Sequence, residues 1–235
     1  LRFAAGKCTY MRLIYEDDWL IVVDKPSGLL SMSTGRQGEV TAYSMLRGYV
    51  KGGRIFIVHR LDRDTSGVLV YAKDEETKLA LQENWNEAVV ERKYVAVLEG
   101  DIADEEGWIE SWLYESPKSM KVHSFGLRQG DKPERPPRDG WQFAATHCRT
   151  IRRMNIEGQT YTNVEFELET GRKNQIRAHA EWIGHPIAGD RKYGARTNPF
   201  GRLALHAHTL SFIHPWTGKV MKFTSPLPKA LRLKD

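Results

Sequence analysis

Between His59 and Gly67 the chain reads His-Arg-Leu-Asp-Arg-Asp-Thr-Ser-Gly, which concentrates an imidazole, two guanidinium groups, two carboxylates and two hydroxyls in nine positions. Side chains alternate along extended backbone, so if residues 60–62 continue a preceding strand, Arg60 and Asp62 share one face and Leu61 takes the other. A carboxylate beside a guanidinium would follow. Charge content alone favours a loop whose Asp and Thr satisfy backbone amides and whose Arg residues pair with acids. A second concentration, Gly171-Arg172-Lys173-Asn174-Gln175-Ile176-Arg177-Ala178-His179, stands where a short helix is predicted to begin. It reads either as a solvated basic face or as an anion-facing patch in which Arg177 pairs with a carboxylate and the helix start adds donors.

Other chemistries fit less well. Asp64-Thr65-Ser66-Gly67 has the outline of an aspartic-protease turn, but that mechanism needs two matched turns and only one is present. A retaining glycosidase needs a second carboxylate about 5 Å from the first, and no residue stands out for it. His147, His179, His185, His206 and His208 have no metal-ligand spacing, and Cys8 and Cys148 lie 140 positions apart without a CxxC pattern. Neither a metal site nor a disulfide framework is expected.

The elements that must position these groups can be read from periodicity. The apolar run at 19–23 is a buried strand entering the turn Asp24-Lys25-Pro26-Ser27-Gly28, and positions 42, 45, 46, 49 and 50 form one apolar helical face before Gly52-Gly53. Strands at 55–59 and 68–72 bracket the 60–67 loop. A helix follows behind Asp74, a suitable N-cap, with a stripe of Leu81, Trp85, Ala88 and Val89. Further strands are expected at 94–98, 108–113, 143–151, 164–168, 203–210 and 219–223, and a short helix at 173–182 buries Ile176, Ala180 and Ile183. Residues 117–140 hold four Pro, three Gly and six Lys or Arg against three acids, too many breakers for a core element. They read as a mobile surface loop or as a basic flap that closes on nucleic acid. Many strands with short gaps favour one α+β domain on a mixed, mainly antiparallel sheet over a doubly wound parallel one.

The 235 residues suffice for one large or two small domains, and 40% hydrophobic with 28% charged residues excludes a disordered or collagen-like chain. Thirty-five Lys and Arg against thirty Asp and Glu give +5 and a pI near 9.1, a mild excess that permits a polyanionic partner. No stretch approaches the roughly 18 apolar residues of a membrane span, and residues 1–11 lack the apolar core of a secretory signal. A cytoplasmic monomer is expected, with residues 1–12 an N-terminal extension or remnant and 13–235 the functional domain.

Several segments stand in a recognisable order: DKPSGLL at 24–30, HRLD and TSG within 59–67, ERKYVAVLEG at 91–100, TGRKNQIRAHAEWIGHPIAGDRKYG at 170–194 and LALHAHTLSFIHPWTGK at 203–219. From about residue 13 to 231 the chain thereby resembles the RluA family of RNA pseudouridine synthases. Asn174 departs from it, since many members carry His in a GRxHQxR run. The resemblance implies the pseudouridine synthase fold and isomerisation of uridine to pseudouridine in structured RNA, ribosomal or transfer, with no metal or cofactor. It makes Asp62 the catalytic carboxylate, Tyr94 the active-site tyrosine and Arg177 the cation that pairs with the Asp. Arg60 matches the Arg that, in some relatives, enters the RNA stack where the target base has left. Arg63, Arg172, Lys173 and Asn174 are expected to contact RNA, and Lys25 with the 24–28 turn is a candidate for its backbone. The competing reading is a catalytically silent RNA-binding relative.

Overall fold

The structure, a computed structural model, describes residues 2–5, 9–127 and 135–232. Cys8 and part of the 117–140 segment lie outside the described residues. In chain order the elements are β1 (Arg2–Ala5), β2 (Thr9–Glu16), β3 (Leu20–Lys25), α1 (Ala42–Tyr49), β4 (Phe56–Ile57), β5 (Ser66–Ala72), α2 (Glu75–Glu83), α3 (Trp85–Ala88), β6 (Val89–Glu99), β7 (Glu106–Glu115), β8 (Val122–Gly126), β9 (Gln142–Ile156), β10 (Gln159–Leu168), α4 (Gln175–Trp182), β11 (Leu205–Ile213) and β12 (Val220–Thr224). None of the described helices is long and apolar enough to cross a membrane.

The chain divides into two compact units, Leu1–Arg92 with His206–Pro228 and Lys93–Leu205 with Lys229–Asp235. The crossings at 92/93 and 205/206 fall inside β6 and β11, so no Pro- or Gly-rich linker marks them in the sequence. In the first unit the strand order is β1-β2-β3-β5-β11, with β4 added on β5 and β12 on β11; β5 and β11 run parallel and the other pairs antiparallel. Residue 12, where the sequence suggested a boundary, lies within β2, and Arg12 and Leu13 pair with Asp24 and Val23 of β3. Leu20, Val22, Val68, Val70, Leu81, Leu210 and Phe212 fill this unit's core.

The second unit is antiparallel in the order β6-β10-β9-β7-β8. One face of this sheet packs on α4, where Ile176 and Ala180 join Ala96, Leu98, Val164 and Phe166 in the core. The 117–140 segment is not all loop. Residues Val122–Gly126 form β8 against β7, and Val122 is 3% exposed beside Leu113, Ala178 and Tyr193. All the breakers that hid this strand except its last residue, Gly126, flank it, and tertiary pairing supplied what five residues of modest propensity could not.

The helix caps follow the sequence. Asp74 accepts from Thr77 N at 2.7 Å, and Thr41 and Ser44 close a reciprocal box at the start of α1. The stripe placed on a single helix after Asp74 is split instead. The helix stops at Glu83, Trp85 opens the short α3 and packs on His59 at 4.9 Å between ring centroids, and Val89 begins β6.

Two histidines, the half-buried His59 and the buried His179, give the fold a pH dependence. Burial pushes His59 down to about 3, with Arg92 adding to the effect, and pushes His179 down to about 4. His59 Nε2 accepts the Val70 amide, and the His179 ring lies between the hydroxyls of Ser111 and Thr146 at 3.0 and 2.9 Å. Both rings stay neutral in the folded chain while the unfolded chain takes up protons below about 6.5. The unfolded state therefore binds more protons, and stability falls as pH falls through that window by up to about 1.4 kcal/mol per pH unit for each ring. Thermal unfolding followed from pH 7.5 to 5 will show a declining midpoint, and His179→Gln will flatten the decline; a midpoint constant across this range would show that these rings are not held neutral.

Candidate active site

The 60–65 loop is fastened on several sides. Ser31 Oγ donates to the Leu61 carbonyl at 2.7 Å and accepts from the Leu61 amide at 3.1 Å, which seats Leu61 in the core. Arg60 is then exposed and Asp62 half-buried, the alternation expected from the sequence, although the regular strand ends at Ile57. The Asp62 carbonyl accepts the Thr65 amide at 3.2 Å and so closes the turn that carries its side chain. Arg63 is exposed, and its Nε donates to the Gly28 carbonyl at 3.2 Å. Arg60 and Arg63 line a recess of about 260 Å³ together with Leu30, Ser31, Ser33 and Thr34.

Lys25 corrects the sequence reading. It is 0% exposed, and its ammonium donates to the carbonyls of Pro26, Leu29 and Arg63 at 3.0, 2.7 and 3.0 Å. A buried ammonium must have its donors paired, and three carbonyls match its three hydrogens. Lys25 is thus a clamp between the 26–29 turn and the 60–65 loop, not a contact for an RNA phosphate. The Gly28 amide to the Arg63 carbonyl at 2.9 Å and the Ser27 hydroxyl to the Asp64 carbonyl at 2.7 Å complete this join.

In the second unit, Tyr94 sits on β6 opposite Phe166 and packs against the core that α4 covers. Helix α4 starts where Gln175 pins it. The Gln175 amide nitrogen donates to the Ala145 carbonyl and the Thr146 hydroxyl, and its oxygen accepts from the Thr170 hydroxyl and the Arg172 amide, so all four of its hydrogen-bonding positions are filled. Nothing in the sequence distinguished this buried Gln from its polar neighbours.

Arg177 projects from the first turn of α4, with its side chain 14% exposed. Its Nε and Nη2 donate to the two carboxylate oxygens of Asp190 at 2.6 and 2.8 Å, and Nη1 donates to Asn174 Oδ1 at 3.3 Å. The guanidinium also lies over the Tyr193 ring, 4.6 Å from its centroid. The Tyr193 hydroxyl accepts from the Val122 amide and from Asn174 Nδ2, each at 3.1 Å, and burial pushes the phenol up, so the ring under the cation is neutral. Sequence reasoning found Arg177 but missed Asp190 and Tyr193, whose only signal was the GDRKYG stretch thirteen residues further on.

Asn174 acts as a bracket between Arg177 and Tyr193 rather than standing out towards solvent. It occupies left-handed backbone at φ +51°, a conformation Asn tolerates better than most residues, and this is a local reason for Asn before the helix. Arg172 and Lys173 are exposed; Arg172 Nε donates to the Phe143 carbonyl at 3.1 Å, and Lys173 is paired with Glu115. Among the described residues no group of three or more His, Cys, Asp or Glu could hold a metal ion. His206, singled out with His208, is a buried structural residue: Nε2 donates to the Ser225 carbonyl and Nδ1 therefore accepts the Ser66 hydroxyl.

Comparison with known proteins agrees with these motifs. A family model described as RNA pseudouridylate synthase matches residues 19–182. The uncharacterized RNA pseudouridine synthase YlyB of Bacillus subtilis (strain 168) is 36% identical over 228 residues, covering 92% of this chain and 69% of the relative. The ribosomal large subunit pseudouridine synthase D of Nitrosomonas europaea is 33% identical over 234 residues, covering 93% of this chain and 62% of its own length. Among solved structures, human RNA pseudouridylate synthase domain containing 1 superposes with a TM-score of 0.75 at 23% identity, covering 97% of this chain and 89% of that one. That likeness shows the fold. The match over residues 19–182 and the identity across nearly the whole chain together show that this protein belongs to the RluA family of RNA pseudouridine synthases, isomerases that convert uridine in RNA to pseudouridine.

Proposed function

We propose that Asp62, Tyr94 and Arg177 carry the isomerisation and that the substrate is ribosomal RNA. The observation that carries the assignment is that all three residues fall inside the matched span, on the motifs HRLD, RKY and QIR that the family resemblance singles out. The N1–C1′ bond of uridine breaks, the uracil turns, and C5 bonds to C1′; the C5 proton leaves and N1 gains one, so no redox change occurs. Asp62 works as an ionised carboxylate, either attacking C1′ or removing a sugar proton. A guanidinium within reach of the carboxylate favours that charged form, which is the role the family resemblance gives Arg177 beside its pairing with Asp190. Tyr94 packs against uracil and offers its phenol as donor or in the late proton transfer. Extruding the target base costs a few kcal/mol of stacking, which the exposed Arg60 offsets by filling the gap.

Arg63, Arg172 and Lys173 bind phosphates, so affinity weakens with salt by about 0.7 to 0.9 in log-log slope per phosphate neutralised. The name of the Nitrosomonas relative favours large-subunit ribosomal RNA over transfer RNA. Mapping pseudouridine in both RNAs, with the gene deleted and restored, tests the choice. Loss of one or a few large-subunit sites, regained on restoration, is expected; losses confined to transfer RNA would reject the ribosomal assignment, and no loss anywhere would favour a silent RNA-binding relative. Size measurement in dilute solution is expected to give a monomer.

A further inference from the structure

We propose that Asp190 is a positioning residue for the reaction: together with Asn174 and Tyr193 it fixes the orientation of the catalytic Arg177 guanidinium. The inference rests on the catalytic reading of Arg177 given above. A guanidinium has two edges that can engage a carboxylate in a bidentate manner, the side edge formed by Nε with one terminal nitrogen and the end edge formed by the two terminal nitrogens. Asp190 takes the side edge, through Nε at 2.6 Å and Nη2 at 2.8 Å. The remaining terminal nitrogen, Nη1, donates to Asn174 Oδ1 at 3.3 Å, so both ends of the guanidinium are fixed by the protein.

The bracket is stiff because each part is itself anchored. Asp190 is 3% exposed, and its amide and carbonyl are tied to the Ile187 carbonyl and the Tyr193 amide, both at 2.9 Å. Tyr193 is 0% exposed and held at its hydroxyl by β8 and Asn174, which fixes its ring beneath the cation. A merely structural ion pair would be indifferent to which edge of Arg177 is used. A catalytic guanidinium is not, because an error of about 1 Å in a charged group can cost on the order of a hundredfold in rate.

The test uses the full chain and tritium release from C5-labelled uridine in ribosomal RNA transcripts. Asp190→Asn keeps the size and one acceptor but loses the charge and the paired geometry. It is expected to lower kcat by roughly 10- to 100-fold while KM changes by no more than about threefold. Arg177→Lys cannot be held at a side edge, so adding Asp190→Asn to it should cost little more than Arg177→Lys alone. A kcat for Asp190→Asn within about threefold of the parent, or losses that multiply in the double variant, would overturn the proposal. If Asp190→Asn does not fold, Asp190→Glu, which keeps the charge and shifts the carboxylate by one methylene, is judged by the same two criteria. Full activity in Arg177→Lys would instead refute the catalytic reading of Arg177 itself, so the two failures are distinguishable.

Discussion

Asp62→Asn should abolish tritium release from C5-labelled uridine, with a fall of at least about 10⁴-fold in kcat, while RNA affinity stays within a few-fold of the parent. The substitution keeps the side chain's size and removes only its negative charge, which both available chemical routes require. The turn that carries it depends on backbone, since the Asp62 carbonyl accepts the Thr65 amide and Ser31 holds Leu61 on the other side. Neither interaction involves the carboxylate, so the folded loop should survive. Binding comes mainly from Lys and Arg on phosphates, so the salt slope should also be unchanged. Tritium release that persists in the folded variant would mean that another group opens the glycosidic bond, and weakened binding with an altered salt slope would mean that Asp62 shapes the RNA surface.

Gly67→Ala should be severely destabilising. A Cβ built at this position lies 2.0 Å from the Ala207 carbonyl oxygen and 2.7 and 2.8 Å from its carbon and nitrogen, and Gly67 has φ +120°, where other residues are strained. The obstacle is main chain in the paired strand β11, which no rotamer change can relieve. Relief requires β5 and β11 to separate, which would also break the buried Ser66 to His206 hydrogen bond at 2.8 Å. A cost of about 4 kcal/mol or more is expected, read as a large shift of the urea midpoint or loss of soluble protein. Because Thr65 ties the start of β5 to Asp62, any Gly67→Ala protein that folds should also have lost rate. An unchanged midpoint would be incompatible with the close approach of these strands.

The motifs therefore carry two kinds of information. HRLDRDTSG contains an exposed Arg60, a half-buried Asp62 and a Gly67 required by strand packing, and composition alone does not say which residue serves chemistry and which serves the fold. The strand alternation around Leu61, the Asp74 cap, the apolar face of α4 and the hairpin joining β11 to β12 were all legible, because period and capping are local properties of the chain. The family was legible for a related reason: its segments recur in order, and that order does not depend on knowing their partners.

What sequence could not supply was the partner of each polar group. Lys25 looked like a phosphate ligand and is a buried clamp on three carbonyls; Gln175 looked like one more solvated residue and anchors α4; Val122 lay among prolines and glycines yet is core. Asp190 and Tyr193 orient Arg177 from thirteen and sixteen positions away, with no helical or strand period to announce them. Residue types and spacing thus picked out the candidate charged groups, and the ordered family motifs supplied the reaction class. Tertiary structure alone decided which charges are committed to other protein atoms, because desolvation obliges every buried donor and acceptor to find a partner wherever folding brings one within reach.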